Sequence, residues 1–189
     1  MTASDVFLRI TAALSDCGIP YMISGSFASA YYGAPRSTQD IDIVIDPVPE
    51  QLQAFVQSLS GKEYFAEMDA ARQAYAHRSL FNVIDLATGW KIDLIIRKER
   101  PFSKEEFRRR RQVRLHDLQL YIATVEDLII AKLEWSKLGQ SQRQIEDVAG
   151  ILRLRQDSLD YPYLGKWTAE LQLEQQWASA RAMLSDSTP

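Results

Sequence analysis

Asp40 and Asp42 stand one residue apart at the head of an apolar run, Asp40-Ile41-Asp42-Ile43-Val44-Ile45. A run so rich in β-branched residues reads as a strand. Residues i and i+2 of a strand leave the same face, roughly 6.5–7 Å apart along the chain. The two carboxylates therefore share one face, and Ile41, Ile43 and Ile45 pack on the other. An uncompensated charge in a buried strand is costly. The compensation this pattern calls for is a divalent cation held between the acids.

A second apolar strand, Trp90-Lys91-Ile92-Asp93-Leu94-Ile95-Ile96, repeats the device, with Asp93 on the same face as Lys91. Three carboxylates on two strands can hold two Mg²⁺ (or Mn²⁺) ions in a phosphoryl-transfer site. Asp93 completes the second metal site or takes a proton from an acceptor hydroxyl; its alternative is a salt bridge to Lys91. Lys91 either balances the acids or touches a phosphate. Upstream, thirteen residues before Asp40, lies the pair Gly25-Ser26. It supplies small residues, backbone N–H groups and a helix start suited to a triphosphate, although a turn glycine and an N-cap serine have the same composition. Arg36, shortly before the acids, is a candidate phosphate clamp or a loop arginine in water.

The order Gly25-Ser26, Arg36-Ser37-Thr38-Gln39-Asp40-Ile41-Asp42, Lys91-Ile92-Asp93 resembles the nucleotidyltransferase superfamily that includes DNA polymerase β and the aminoglycoside nucleotidyltransferases. Within it, the chain is most similar to small AbiEii-type nucleotidyltransferase-like proteins of prokaryotes, many of them tied to toxin–antitoxin or phage-defence loci. A looser likeness continues through Glu126–Leu133 and Arg143…Glu146-Asp147-Val148, where the spacing departs from the family's. The resemblance implies an α+β fold: a small mixed sheet with flanking helices, then a C-terminal helical bundle. It also implies NTP and Mg²⁺ binding and transfer of NMP to an acceptor hydroxyl on RNA, protein or a small molecule. A cognate antitoxin or other partner protein goes with that setting. Lys132, in an apolar helical stripe with Val125, Leu128, Ile129 and Trp135, either snorkels to solvent or enters a cleft; the resemblance favours the cleft and the nucleotide. Asp147 is expected to pair with Lys132 or Arg143. The contrasting reading is a non-catalytic nucleotide-sensing or antitoxin-like module that keeps the fold without turnover.

At 189 residues the chain is long enough for a real core. We expect a nucleotidyltransferase core over 1–100 and a mainly helical part over 101–189, packed as two parts or as one continuous domain. The single Cys17, in the apolar spacing of the first helix, and the lack of a signal-like or membrane-spanning run point to a reducing cytoplasm and no membrane. Net charge is −3, yet residues 97–114 carry nine Lys/Arg against three Glu, leaving −9 on the rest. Such asymmetry predicts one anion-attracting face, for RNA or a triphosphate, although Glu105/Arg109 and Glu106/Arg110 at i,i+4 also fit a solvated helix.

Helices are expected over 4–17, 26–32, 49–58, 64–77, 124–138, 142–155, 164–173 and 175–184, the last followed by a disordered Ser/Thr/Pro tail. Another opens at Ser103, capped with Glu106. Strands are expected over 21–23, 40–46, 80–86 and 91–97, the last two as a hairpin around Ala87-Thr88-Gly89-Trp90. Residues 113–122 hold one or two more.

Overall fold

The computed structural model describes residues 3–35, 38, 40–59, 61, 63–115 and 118–185. Arg36 and the tail beyond Ser185, both subjects of expectations above, lie outside them. The described residues form an α+β fold built on a mixed sheet of seven strands, in the order β3-β4-β5-β2-β1-β7-β6. The strands are β1 (Tyr21–Ile23), β2 (Asp40–Ile45), β3 (Tyr64–Ala66), β4 (Leu80–Asp85), β5 (Lys91–Ile96), β6 (Arg111–Leu115) and β7 (Leu118–Ile122). β2 runs parallel to β5 and β1 parallel to β7; the other neighbours are antiparallel.

The chain divides into two compact units, Met1–Ser26 with Ser37–Ala123, and Phe27–Arg36 with Thr124–Pro189. The first holds the whole sheet and the helices α1 (Ala3–Asp16), α3 (Pro49–Leu59), α4 (Met68–His77) and α5 (Pro101–Arg109). The division after Ala123 lies beyond residue 100 because β7 pairs with β1, which ties the β6–β7 hairpin to the sheet.

Alternation sorts the sheet into two faces. Ile41, Ile43 and Ile45 of β2 and Ile92, Leu94 and Ile96 of β5 are fully buried on one of them. Phe81 and Val83 of β4 join them, as do Val6, Ile10 and Leu14 of α1 and Leu52, Phe55 and Val56 of α3. Burying this many large aliphatic side chains, at about 1.5–3 kcal/mol each, dominates the unit's stability. The other face carries Asp40, Asp42, Lys91, Asp93 and Asn82.

Asp85 at the end of β4 points into the buried face and is 0% exposed. Its carboxylate accepts from the Arg9 guanidinium of α1, from the Ala87 and Thr88 backbone N–H groups at 3.1 and 3.0 Å, and from the Thr88 hydroxyl at 2.8 Å. One acid thus closes the β4–β5 turn and anchors the first helix to the sheet.

Three local expectations are corrected. The span 64–77 is not all helix: Tyr64–Ala66 pairs antiparallel with β4 as an edge strand before α4 begins at Met68. Helix α5 is not capped by Ser103. It starts two residues earlier at Pro101, after Arg100 in extended conformation, because proline suits a first turn that has no N–H to satisfy. Cys17 is half-buried in the turn after α1 rather than in the core.

The second unit contains α6 (Val125–Gly139), α7 (Gln142–Arg155), α8 (Tyr161–Glu170) and α9 (Glu174–Ser185), with the greater part of α2 (Gly25–Tyr31). Thr124 caps α6, its hydroxyl accepting from Asp127 N at 3.2 Å. Helix α8 opens three residues earlier than the apolar spacing suggested, because Asp160 caps Tyr163 N at 2.9 Å and Pro162 follows. Leu133, Ile145, Val148, Ile151, Leu164 and Trp167 form the core of this unit. Trp135, placed by its spacing in the apolar stripe of α6, is 51% exposed. Lys132 takes the inward position. No helix among the described residues is long and apolar enough to cross a membrane.

Candidate functional site

The register of the sheet assembles the acids. In the parallel β2–β5 pair, Asp40 lies opposite Lys91 and Asp42 opposite Asp93. Strand partners share a face, so the three carboxylates and the lysine leave the sheet together. The Lys91 ammonium stands between two of them, 3.4 Å from Asp40 Oδ1 and 3.2 Å from Asp93 Oδ2. Burial works to lower the Lys91 pKa, but the hydrogen bond and charge of Asp93, then those of Asp40, outweigh it and hold the group above the ordinary lysine value. Lys91 is therefore charged throughout the physiological range. Asp46, at the far end of β2, is engaged elsewhere, by Arg97 at 2.8 Å.

Gly25 meets the acids from the neighbouring strand. β1 runs antiparallel to β2, and Ser24 N donates to Asp42 O at 2.9 Å, which brings the start of α2 over Asp42. Gly25 has φ +60°, and a Cβ there would fall 1.8 Å from Asp42 Oδ2. No other residue fits: the left-handed conformation disfavours a side chain, and the space is taken by the carboxylate. Ser26, the next residue, is buried.

Three acids on one face, with a glycine that leaves backbone rather than side chain against one of them, suit an oxygen-seeking divalent cation such as Mg²⁺. As the side chains stand, no group of three or more His, Cys, Asp or Glu among the described residues is gathered tightly enough to hold an ion. The Lys91 ammonium occupies the space between Asp40 and Asp93, so a cation there displaces it.

Lys132 lies in the helical unit and is paired there. It is 3% exposed, and its ammonium donates to Asp147 Oδ2 at 2.6 Å and to Gln144 Oε1 at 3.3 Å. This is the pairing expected of Asp147, and it joins α6 to α7. Removing one member of such a pair leaves an uncompensated charge, whereas replacing both by apolar groups can be neutral. Lys132→Met should therefore destabilise the protein more than Lys132→Met/Asp147→Leu does, by about 2 kcal/mol or more. Urea unfolding of the two variants measures the difference; equal losses would contradict a buried pair.

Asn82 was not singled out by sequence. It lies on β4 opposite Asp93, and its side-chain Nδ2 donates to Asp93 Oδ1 at 2.5 Å.

The basic run is largely engaged by its own surroundings. Arg97 reaches Asp46 and Glu99, Lys104 reaches Glu99, and Arg108 pairs with Glu105 at i,i+3. Arg110 stacks between the rings of Phe107 and Tyr121, 4.3 and 5.2 Å from their centroids. Arg111 and Arg114 are on the edge strand β6 and exposed. The four arginines 108–111 are thus not on one helix, which ends at Arg109.

No family model matches the chain, and no curated protein matches it. Solved structures do. The antibiotic-resistance factor ANT(2'')-Ia in solution aligns with a TM-score of 0.57 and 16% identity, over 97% of this chain and 98% of that one. The crystal structure of ANT(2'')-Ia with adenylyl-2''-tobramycin gives 0.53 and 16%, over 97% and 99%. An antigenic nucleotidyltransferase-like protein from Paracoccidioides brasiliensis gives 0.50 and 16%, over 93% and 91%. At these identities the likeness is one of fold, and the fold is that of nucleotidyltransferases.

Proposed function

We propose that the protein is a metal-dependent nucleotidyltransferase that moves an NMP from an NTP to an acceptor hydroxyl. The observation that carries this reading is the register placing Asp42 beside Asp93, with Gly25 so close to Asp42 that a methyl group would collide. With no side chain at Gly25, the backbone at the start of α2 lies directly against Asp42, so a phosphate bound there would meet backbone and acid together.

In this reading Asp40, Asp42 and Asp93 hold divalent metal, which when bound neutralises triphosphate charge and polarises the α-phosphate. Gly25 and Ser26 present backbone N–H groups and a hydroxyl to the phosphates, and Arg36 is the phosphate clamp proposed from its place in the sequence before Asp40. Asp93 accepts the proton of the acceptor hydroxyl. The hydroxyl oxygen forms its bond to the α-phosphorus, the bond from that phosphorus to the bridging oxygen breaks, and its electron pair leaves with pyrophosphate. Lys91, once displaced from the acids, is free to meet a phosphate oxygen. Lys132 supports the reading through its pair with Asp147, which orders α6 and α7, and not as an unengaged cation awaiting a nucleotide.

For the acceptor, the neighbour with adenylyl-2''-tobramycin supports a small hydroxylated molecule, and the exposed Arg111 and Arg114 support RNA. The motif order Gly25-Ser26, Asp40-Ile41-Asp42, Lys91-Ile92-Asp93 supports placement among the AbiEii-type proteins, with a toxin–antitoxin or phage-defence setting and a cognate partner protein. One observation favours a second reading, a nucleotide-sensing module without turnover: Lys91 already neutralises two of the acids.

Incubation with Mg²⁺ and each α-labelled NTP, against total tRNA, lysate protein and a panel of hydroxylated small molecules, separates these readings. Nucleotidyl transfer predicts label on one acceptor class and none with γ-labelled NTP. NTP binding with no label on any acceptor would instead give the sensing module.

A further inference from the structure

We propose that Asn82 is a positioning residue for Asp93, holding one carboxylate oxygen so that the other is presented to metal and acceptor. The inference rests on the nucleotidyltransferase reading of the acid site. Asn82, Asp93 and Asp42 are successive partners across β4, β5 and β2, which makes one row of three polar side chains on the acid-bearing face. The flanking residues of β4 on that face, Leu80 and Ile84, are apolar although 38% and 36% exposed. The polar residue at 82 is therefore not what solvent alone selects on this strand.

The two oxygens of Asp93 have unlike partners. Oδ1 accepts from Asn82 Nδ2 at 2.5 Å, and Oδ2 from the Lys91 ammonium at 3.2 Å. A carboxylate only accepts, so the amide must turn its NH₂ toward it. That amide is short, neutral and fixed to a strand. Lys91 sits on a four-carbon stem and shares its charge with Asp40. An incoming cation repels the ammonium but not the amide. Lys91 thus leaves while Asn82 stays, and Oδ2 becomes the working oxygen with its direction set by the bond at Oδ1. Partners that orient a ligating carboxylate in this way are typically worth about 10–100-fold in metal affinity or activity.

Two variants test this against a merely structural role. Asn82→Ala removes the donor. Asn82→Asp keeps the shape, cannot donate while ionised, and adds a carboxylate beside the metal site. Label transfer should fall about 10–100-fold in kcat for both, with KM for NTP unchanged. Mn²⁺ affinity, read from the electron paramagnetic resonance of free Mn²⁺, should weaken in Asn82→Ala and equal or exceed wild type in Asn82→Asp. Loss of packing would lower both quantities together and cannot produce that split. Wild-type kcat in either variant overturns the proposal, as does weakened Mn²⁺ binding in Asn82→Asp. If the wild type binds Mn²⁺ but transfers no label, nucleotidyl transfer fails while Asn82 is judged on Mn²⁺: weaker binding in Asn82→Ala supports it, and equal binding overturns it. A wild type that neither transfers label nor binds Mn²⁺ removes both.

Discussion

Asp42→Asn should lower NMP transfer by roughly 10³-fold or more, since a cation's charge stabilisation is worth several kcal/mol and each 1.36 kcal/mol is about tenfold in rate. Asp42 is half-buried, as Asp93 is, whereas Asp40 is exposed. Asp93 is its strand partner, and Gly25 lies against its Oδ2. An amide keeps the volume but gives up the charge that attracts the ion. The melting temperature should be unchanged or slightly higher, because the substitution relieves repulsion between neighbouring acids. Rates of α-label transfer in Mg²⁺, measured beside thermal unfolding, check both halves. A variant that turns over at the wild-type rate would remove Asp42 from the metal site.

The largest effect on stability should come from Asp85→Ala, a residue that takes no part in the chemistry. Its carboxylate is fully buried and receives Arg9, two backbone N–H groups and the Thr88 hydroxyl. Removing it strands these donors together. Breaking a buried pair costs about 3–5 kcal/mol, and the Arg9 side chain, 29% exposed, recovers part of this from water. We expect a loss of about 3 kcal/mol in urea unfolding, large beside the total stability of a domain. A loss below about 1 kcal/mol, the worth of one ordinary hydrogen bond, would show that the turn and first helix are held by packing alone.

The acids were legible in the sequence because strand alternation is a strict rule. Once Asp40-Ile41-Asp42 and Lys91-Ile92-Asp93 are read as strands, their faces follow without a structure. Gly25 was legible only as a small residue in a turn. The reason it must be glycine, its approach to Asp42, depends on the antiparallel β1–β2 register. Asn82 was invisible for a similar reason. Counting back from a loop over Ala87–Trp90 sets Asn82 opposite Ile95, but Asp85 bonds the turn and shifts the pairing by two, so that Ile84 meets Lys91 and Asn82 meets Asp93.

In the helical part, periodicity found the elements but misjudged single positions. Lys132 and Trp135 occupy one apolar stripe on paper, yet the lysine is inside and the tryptophan outside. Asp147 reverses the usual preference by compensating the buried ammonium from the next helix, one of the two pairings expected of it. The basic run misled in the other direction. Its charge surplus suggested one anion-attracting face, but Arg111 begins a strand and Arg110 is committed to two aromatic rings.

The central claim is that Asp40, Asp42 and Asp93 together hold divalent metal for a bound triphosphate. Anomalous diffraction from crystals of the protein grown with Mn²⁺ and a non-hydrolysable NTP analogue tests it most directly. The account predicts Mn²⁺ peaks ligated by these three carboxylates, with Lys91 withdrawn from Asp40 and Asp93, and any paired metals about 3.5–4 Å apart. Mn²⁺ bound elsewhere, or Lys91 still bridging the acids beside a bound nucleotide, would contradict it.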